Sequence, residues 1–414
     1  MAWLRSKKIR VSEFLSDREA GNRQQLLSLR MILFIFGIFY GWPPENMDKD
    51  AAWWYRLKGI MFRVFFIYLC TASQVAYNFT VTTREELFAS MFILLTQLVM
   101  IFKMEFFYKN MNKIQSFVRR LDGELYEARN AEERVPLQSA RKKTTVFWIL
   151  YIIFSDGLTA MWTISSFFVG VTLVPSWPPV DQHSPYWQYM LVLTYQFVSI
   201  ILNAAFNISW DSLVAALLAS VNAHLQRLQI QLMKVGHESD IKQPHDKPNI
   251  IDVSPAADQK DKVQINSSKD DVYDELLRCI IFHQELTSFL REMMDLFGGP
   301  MLAQLYCSIF IICITEFRLL IDINSLDDTI RAGSYLICLI IQVVQYCYFG
   351  NEVNYTSEKV HEATAFMNYP DMNIKTRKLL IAFQLNTSKG INCCAKRIFK
   401  MELSMATFVT SMTD

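Results

Sequence analysis

The chain has 414 residues, of which 52% are hydrophobic and 20% are charged, and its net charge is +1. This balance excludes a disordered protein, and it excludes a nucleic-acid-binding protein, whose surface would be far more basic. One membrane domain accounts for the chain, so we expect contact with membrane lipid and no nucleic-acid partner.

Six apolar stretches are each near the length of about 20 residues that a hydrocarbon core about 30 Å thick requires. A shorter apolar stretch, 29–40, precedes them, and a last one, 399–412, follows. If the last stretch crosses the membrane, the protein is all-α with seven transmembrane helices. The six predicted helices lie approximately at 57–78, 86–108, 144–168, 186–205, 301–320 and 333–350.

The distribution of basic residues predicts the orientation of these helices, because Lys and Arg accumulate on the cytoplasmic side of a membrane. The leading segment and the connection after the second stretch are rich in both. The connection 169–186 has neither, and it contains Pro175, Pro178, Pro179 and Pro185. We therefore expect a cytoplasmic amino terminus and an external Pro-rich connection.

Apolar side chains continue at helical spacing beyond the second, fourth and sixth stretches, so these helices should extend past the membrane. A further amphipathic helix is predicted from Ser268 to a break at Gly298-Gly299-Pro300, ahead of the fifth stretch. We expect helices four to six to be prolonged as a cytoplasmic anchor bundle. The stripes are Ile114, Phe117, Val118, Leu121 and Leu125; Val214, Leu217, Leu218, Val221, Leu225, Leu228 and Leu232; and Val353, Val360, Thr364 and Met367.

The last region is predicted to be a split seventh helix. Its first half is apolar only over 379–383, which is too short to cross a bilayer. We expect this half to close the anchor bundle and the second half to enter the membrane from the cytoplasm. The residues that separate the halves are basic, namely Lys389, Lys396, Arg397 and Lys400.

The carboxyl-terminal region contains Tyr346-Cys347-Tyr348-Phe349-Gly350-Asn351-Glu352, then Tyr369, Lys375, Arg377-Lys378-Leu379-Leu380, and Met401-Glu402-Leu403-Ser404-Met405-Ala406-Thr407-Phe408. This set resembles the insect odorant receptors. The resemblance implies an odorant-gated, non-selective cation channel of four subunits in the plasma membrane of olfactory sensory neurons. This chain looks like an odour-binding member, which assembles with a common odorant receptor co-receptor.

The resemblance also implies that the second half of the split helix lines the pore. The sequence stops sooner after this region than family members usually do. From Met401 the remaining residues would extend about 21 Å as a helix, at about 1.5 Å per residue, short of the hydrocarbon core. We therefore expect outer gate residues to be absent from this sequence. The pore candidates are Leu403, Thr407, Phe408 and Ser411.

A volatile odorant forms few hydrogen bonds, so its site should be an apolar and aromatic cavity with one or two polar groups, within reach of the outside. Each candidate has the alternative of ordinary helix packing or lipid contact. For Trp162 a pocket is favoured, because a large ring with a donor needs space for both. Asp156 is expected to make a structural hydrogen bond with another helix. The candidates are Met91, Phe92, Leu95, Ser155, Leu158, Trp162, Tyr189, Met190, Thr194, Phe197 and Tyr335.

These expectations divide the chain into five segments. They are a cytoplasmic amino-terminal segment with a short membrane-associated helix (1–56), helices one to four with the ligand-binding region (57–236), a disordered cytoplasmic loop (237–270), helices five and six with the anchor bundle and the first half of helix seven (271–400), and the start of the pore-lining half (401–414).

Two other receptor classes are alternatives. Insect gustatory receptors share the split last helix, but their usual Thr-Tyr and Gln-Phe signature is not seen. A G-protein-coupled receptor would have an external amino terminus and an acidic-Arg-aromatic triplet after its third helix, which is not present. An enzyme is not expected, because no zinc-protease helix, Gly-rich phosphate loop or Gly-x-Ser-x-Gly turn is found. We expect no cofactor or metal.

Overall fold

A computed structural model describes residues 27–40, 49–82, 84–179, 184–235, 257–321, 326–388, 390–391, 394–395 and 401–402. These residues are almost entirely α-helical. By length and composition, five helices in this part of the chain could cross a membrane: Asp50–Thr80, Ala131–Val169, Tyr186–Lys234, Val272–Glu316 and Thr329–Ala365.

The first half of the described chain consists of shorter helices. A π-helical turn, Val64–Tyr68, joins α2 and α3, and a 3-10 turn, Glu124–Tyr126, follows α5. The second apolar stretch forms α4. The helices are α1 Leu27–Ile38, α2 Lys49–Arg63, α3 Leu69–Thr80, α4 Arg84–Lys109 and α5 Met111–Leu121.

The second half consists of four long helices and one short one. A 3-10 turn, Tyr369–Asp371, separates the last two. Two short strands, β1 Cys394–Ala395 and β2 Met401–Glu402, pair antiparallel, with Cys394 opposite Glu402. The helices are α6 Ala131–Val169, α7 Tyr186–Lys234, α8 Ala257–Ile321, α9 Leu326–Ala365 and α10 Ile374–Thr387.

Helix α7 is the centre of the bundle. It packs along α6 and α9 most extensively, and it also contacts α1 and α8. Every residue from 208 to 219 is buried. A helix that is buried on all sides must lie inside a bundle rather than on its surface. The helices that contact α7 therefore pack around it.

The main hydrophobic core runs along α7 and joins it to α1, α4, α5, α8, α9 and α10. The stripes after the fourth and sixth stretches are buried there. In the stripe after the second stretch, Ile114, Phe117, Val118 and Leu121 are buried, but Leu125 is 43% exposed. The reason is that α5 ends at Leu121, and Leu125 lies in the 3-10 turn.

Helix α8 differs from the prediction at two points. The break expected at Gly298-Gly299-Pro300 does not occur, and Pro300 lies inside the helix. Phe297 and Met301, on either side of it, are buried in the core, so tertiary packing holds the helix through the proline. The helix also begins at Ala257 rather than at Ser268. Good helix formers such as Ala, Gln and Lys directly follow Pro255, so nothing stops the helix from starting there.

The carboxyl-terminal region is described only in part. The first half of the split helix is α10, whereas Met401 and Glu402, expected to start the second half, form β2. Any pore-lining helix therefore begins after these two residues. The pore candidates Leu403, Thr407, Phe408 and Ser411 lie outside the described residues. Of the loop expected to be disordered, 237–256 also lies outside them, whereas 257–270 is helical and belongs to α8.

Candidate ligand-binding cavity

A cavity of about 130 Å³ lies between α4, α6, α7 and α9. One water needs about 10–15 Å³, so the space suits a small organic molecule. Residues three or four apart on each helix face it, which is the spacing of one helical face. The lining residues are Ile93, Thr96, Gln97 and Met100 of α4; Tyr151, Ser155, Leu158, Thr159 and Trp162 of α6; Val174 after α6; Ile200, Asn203, Ala204, Asn207 and Ile208 of α7; and Tyr335, Cys338, Leu339 and Gln342 of α9.

Four of the predicted ligand-binding residues line this cavity together. They are Ser155, Leu158, Trp162 and Tyr335. The rings of Trp162 and Tyr335 lie 6.4 Å apart, centroid to centroid. The sequence therefore indicated two of the four walls, although whether these residues bind a ligand stays a prediction.

The other predicted residues lie beside the cavity or away from it. Tyr189 is buried, and Met190, Phe197 and Trp162 pack around it. Leu95 packs against a separate cluster formed by Ile311, Ile312 and Leu339. Among the remaining three, Met91 is half-buried outside the lining, Thr194 is exposed, and the side chain of Phe92 is outside the described part of the structure.

The connection after α6 covers one side of the cavity. Gln196 of α7 binds it through three hydrogen bonds: its amide donates to the Val174 carbonyl (3.0 Å) and to Ser176 (2.9 Å), and it accepts from the Val174 amide (3.2 Å). The Trp177 amide donates to the Ser73 carbonyl on α3 at 3.0 Å. These contacts hold Val174 in place as part of the lining.

Several polar side chains in the lining already have hydrogen-bond partners. They are therefore available to a ligand only at the expense of a bond within the protein. The pairs are Thr96 with Tyr335; Gln97 with Thr71 (3.0 Å); Tyr151 with the Cys338 carbonyl (2.9 Å); Thr159 with the Ser155 carbonyl (3.0 Å); Asn207 with Lys103 (2.9 Å); and Gln342 with Asp211 and with Gln304 (2.9 Å).

Two lining side chains have buried polar atoms without a partner among the described residues. Asn203 is only 6% exposed, and neither its Nδ2 nor its Oδ1 has a hydrogen-bond partner. The indole Nε1 of Trp162 is in the same state. Buried polar atoms are nearly always paired, so unpaired ones in a cavity wall are candidate ligand contacts.

A buried polar network borders the cavity. Lys103 of α4 binds Asp211 of α7, with 2.6 Å between Nζ and Oδ1, and both side chains are fully buried. Gln342 and Tyr346 of α9 also donate to Asp211. Because Asn207 and Gln342 belong both to this network and to the lining, the network connects the cavity wall to three helices.

The sequence reasoning missed the amide side chains of the cavity, Gln97, Asn203, Asn207 and Gln342. They could have been recognised in the sequence as polar residues within or next to an apolar stretch, since such residues usually face the interior of the bundle. The sequence also led us to expect a structural hydrogen bond between Asp156 and another helix. In the structure Asp156 does not line the cavity, and its buried Oδ1 has no partner in the described part of the chain.

Among the described residues, no group of three or more His, Cys, Asp and Glu side chains could hold a metal ion. Six cysteines of the described helices are unpaired thiols, and three of them are buried. The lining of the cavity consists of apolar and uncharged polar side chains, which offer apolar contact and hydrogen bonds.

Residues 83–413 match the profile of the family described as 7tm Odorant receptor. The chain is 29% identical to "Odorant receptor Or1" of Anopheles gambiae over 376 residues, which cover 90% of this chain and 89% of that protein. It is 21% identical to "Odorant receptor 46a, isoform A" of Drosophila melanogaster over 301 residues, 72% of each.

The fold is similar to that of a solved structure, the insect olfactory receptor OR5 from Machilis hrabei. The TM-score is 0.74 at 12% identity, over 93% of this chain and 94% of that one. The structure of the same receptor in complex with eugenol gives 0.73, over 94% and 96%. At this identity the similarity shows the fold, while the family profile covers most of the chain. The chain is thus a membrane protein that belongs to the family of insect odorant receptors.

Proposed function

We propose that this protein is the odour-binding subunit of an odorant-gated, non-selective cation channel. It binds a small, volatile, hydrophobic odorant in the cavity between α4, α6, α7 and α9, and it works with a common co-receptor as a heterotetramer in the plasma membrane of olfactory sensory neurons. The observation that carries this proposal is the cavity itself. Most of its wall is apolar, and three of the four helices around it, α6, α7 and α9, are candidate membrane spans.

An odorant suits this cavity for two reasons. Apolar side chains such as Met100, Leu158, Ile200 and Leu339 favour a hydrophobic body, and the few polar groups can fix its orientation. A receptor of similar fold was solved in complex with eugenol, which supports a small odorant as the ligand class here. The family match favours an odorant receptor over the gustatory-receptor and G-protein-coupled alternatives.

The proposed channel has seven membrane spans and a cytoplasmic amino terminus. The basic leading segment and the Pro-rich connection without Lys or Arg support this orientation. Epitope tags at the two ends, stained in intact and in permeabilised cells, test this orientation: the amino-terminal tag should be detected only after the cells are permeabilised. Detection of the amino-terminal tag in intact cells would contradict the channel architecture.

The proposed pore residues are Leu403, Thr407, Phe408 and Ser411. Replacing Thr407 with Lys should reduce the current carried by cations, because a fixed positive charge in a pore opposes cation entry. Thr407→Val, which is similar in size and adds no charge at the same position, is the matched control. Equal currents in both variants would show that Thr407 does not line the pore.

The deciding experiment is expression with and without the co-receptor, with currents recorded against a panel of volatiles. Odorant-evoked current is expected only when both chains are present. Current from this chain alone would contradict its dependence on a partner. No current in either setting, with both chains detected at the cell surface, would contradict the proposed channel function.

A further inference from the structure

The cavity wall holds a side-chain amide whose hydrogen-bonding groups are unused. Asn203 lies on the cavity face of α7, beside Ile200, Ala204 and Asn207. It is 6% exposed, and within the described part of the chain neither Nδ2 nor Oδ1 finds a partner. Such an amide has lost its bonds to bulk water, so a ligand that restores them gains affinity over one that does not.

Asn203 differs in its hydrogen bonding from the other side-chain amides of the same lining. Gln97 accepts a hydrogen bond from Thr71, Asn207 accepts one from Lys103, and Gln342 donates to Asp211. Those amides are held by the protein, which fixes their orientation. Asn203 is the amide that a ligand can engage without breaking a bond within the described structure.

The lining also restricts the charge of the ligand. None of the lining residues in the described structure is Asp, Glu, Lys or Arg. Lys103 and Asp211 lie behind the wall and neutralise each other at 2.6 Å. An ionised acid or amine would enter without a counter-charge, which is costly in an apolar site. The cavity therefore favours a neutral ligand.

We propose that this cavity selects volatiles that carry a hydroxyl group, alcohols or phenols with an apolar body, and that Asn203 recognises the hydroxyl. The O–H donates to Oδ1 and the hydroxyl oxygen accepts from Nδ2. Ethers, esters and ketones only accept, so they leave Oδ1 unpaired whichever way the amide is turned. The Trp162 N–H on α6 is a further donor in the same cavity. This inference rests on the proposed function and names the ligand class of that site.

The test compares each alcohol with its own methyl ether, and phenol with anisole, as activators of the chain expressed with its co-receptor. Half-maximal concentrations are measured for the unmodified receptor, for Asn203→Leu and for Val198→Leu, a control on the exposed side of α7. A hydroxyl should lower the half-maximal concentration roughly tenfold relative to the ether in the unmodified receptor and in the control. In Asn203→Leu the ratio of the two half-maximal concentrations, ether to alcohol, should fall to about one, because the leucine side chain is similar in size but forms no hydrogen bond.

The outcomes separate this inference from the function on which it rests. If volatiles open the channel but alcohols and ethers are equally potent, the inference is wrong and the function stands. A preference for alcohols that persists unchanged in Asn203→Leu also overturns it. If Asn203→Leu does not reach the surface, Asn203→Ala replaces it, and the ratio in the unmodified receptor still decides. If no volatile opens the channel with both chains at the surface, the function and the inference fail together.

Discussion

Lys103 and Asp211 form an ion pair in the middle of the bundle, with 2.6 Å between Nζ and Oδ1 and no solvent exposure of either side chain. Removing one partner of a buried pair leaves an uncompensated charge, at a cost of about 3–5 kcal/mol. We expect Lys103→Met and Asp211→Asn each to lower the stability of the receptor strongly.

The double variant tests whether the two residues act as a unit. Lys103→Met with Asp211→Asn leaves no charge behind, so its loss of stability should be smaller than the sum of the two single losses. Thermal unfolding of the purified full chain and its amount at the cell surface are the measurements. Additive losses would show that the pair is not energetically coupled.

Trp162 lines the cavity, and its indole N–H has no partner in the described structure. Trp162→Ala should therefore change the response to odorants without reducing surface expression. Trp187→Ala is the control, because Trp187 is 65% exposed at the start of α7. Loss of surface expression in Trp162→Ala alone would instead assign Trp162 a structural role.

Glu132 and Glu133 are neighbours on α6 with opposite environments. Glu133 binds Arg227 of α7 at 2.9 Å with both side chains almost fully buried, whereas Glu132 binds Lys234 at 2.6 Å with its own side chain 68% exposed. Glu133→Ala should cost about 3–5 kcal/mol, and Glu132→Ala less than about 1 kcal/mol. Thermal unfolding of both variants checks this, and equal effects would contradict the assigned burial.

Gln196 holds the connection after α6 against α7 through Val174 and Ser176. Gln196→Leu removes these bonds, so the wall at Val174 should loosen and the potency of all odorants should fall together. Dose–response curves for alcohols and ethers give the measurement. A loss confined to alcohols would contradict this, since that pattern is expected for Asn203 rather than for the connection.

Hydrophobic pattern predicted most of the helices among the described residues and the main faces that they bury. The stripe from Val214 to Leu232 on α7 is buried, and Val353 and Val360 on α9 are also covered. Local pattern succeeds here because an amphipathic face must pack whatever its partner is. It failed at Pro300, where the surrounding core overrides a local preference against helix.

The sequence predicted Ser155, Leu158 and Trp162 of α6 and Tyr335 of α9 as residues of the cavity, but it did not predict the amide side chains of the lining. Polar residues of an apolar stretch are visible in the sequence, yet their partners are not. Lys103 and Asp211 are separated by 108 positions, and only the packing of α4 against α7 brings them together. For the same reason, the sequence could not show that Asn207 is held by Lys103 while the amide of Asn203 has no partner among the described residues.

Helix α7 is a single unbroken helix of 49 residues, about 73 Å long at about 1.5 Å per residue. It carries Asn203 in the cavity wall and, 24 positions or about 36 Å further along, Arg227, which is bound to Glu133 of α6. Because one continuous helix joins the cavity wall to the Arg227–Glu133 contact, a rotation of α7 at the cavity would also move that contact. We therefore expect substitutions near Arg227 to alter the sensitivity of the receptor to a ligand that they do not contact.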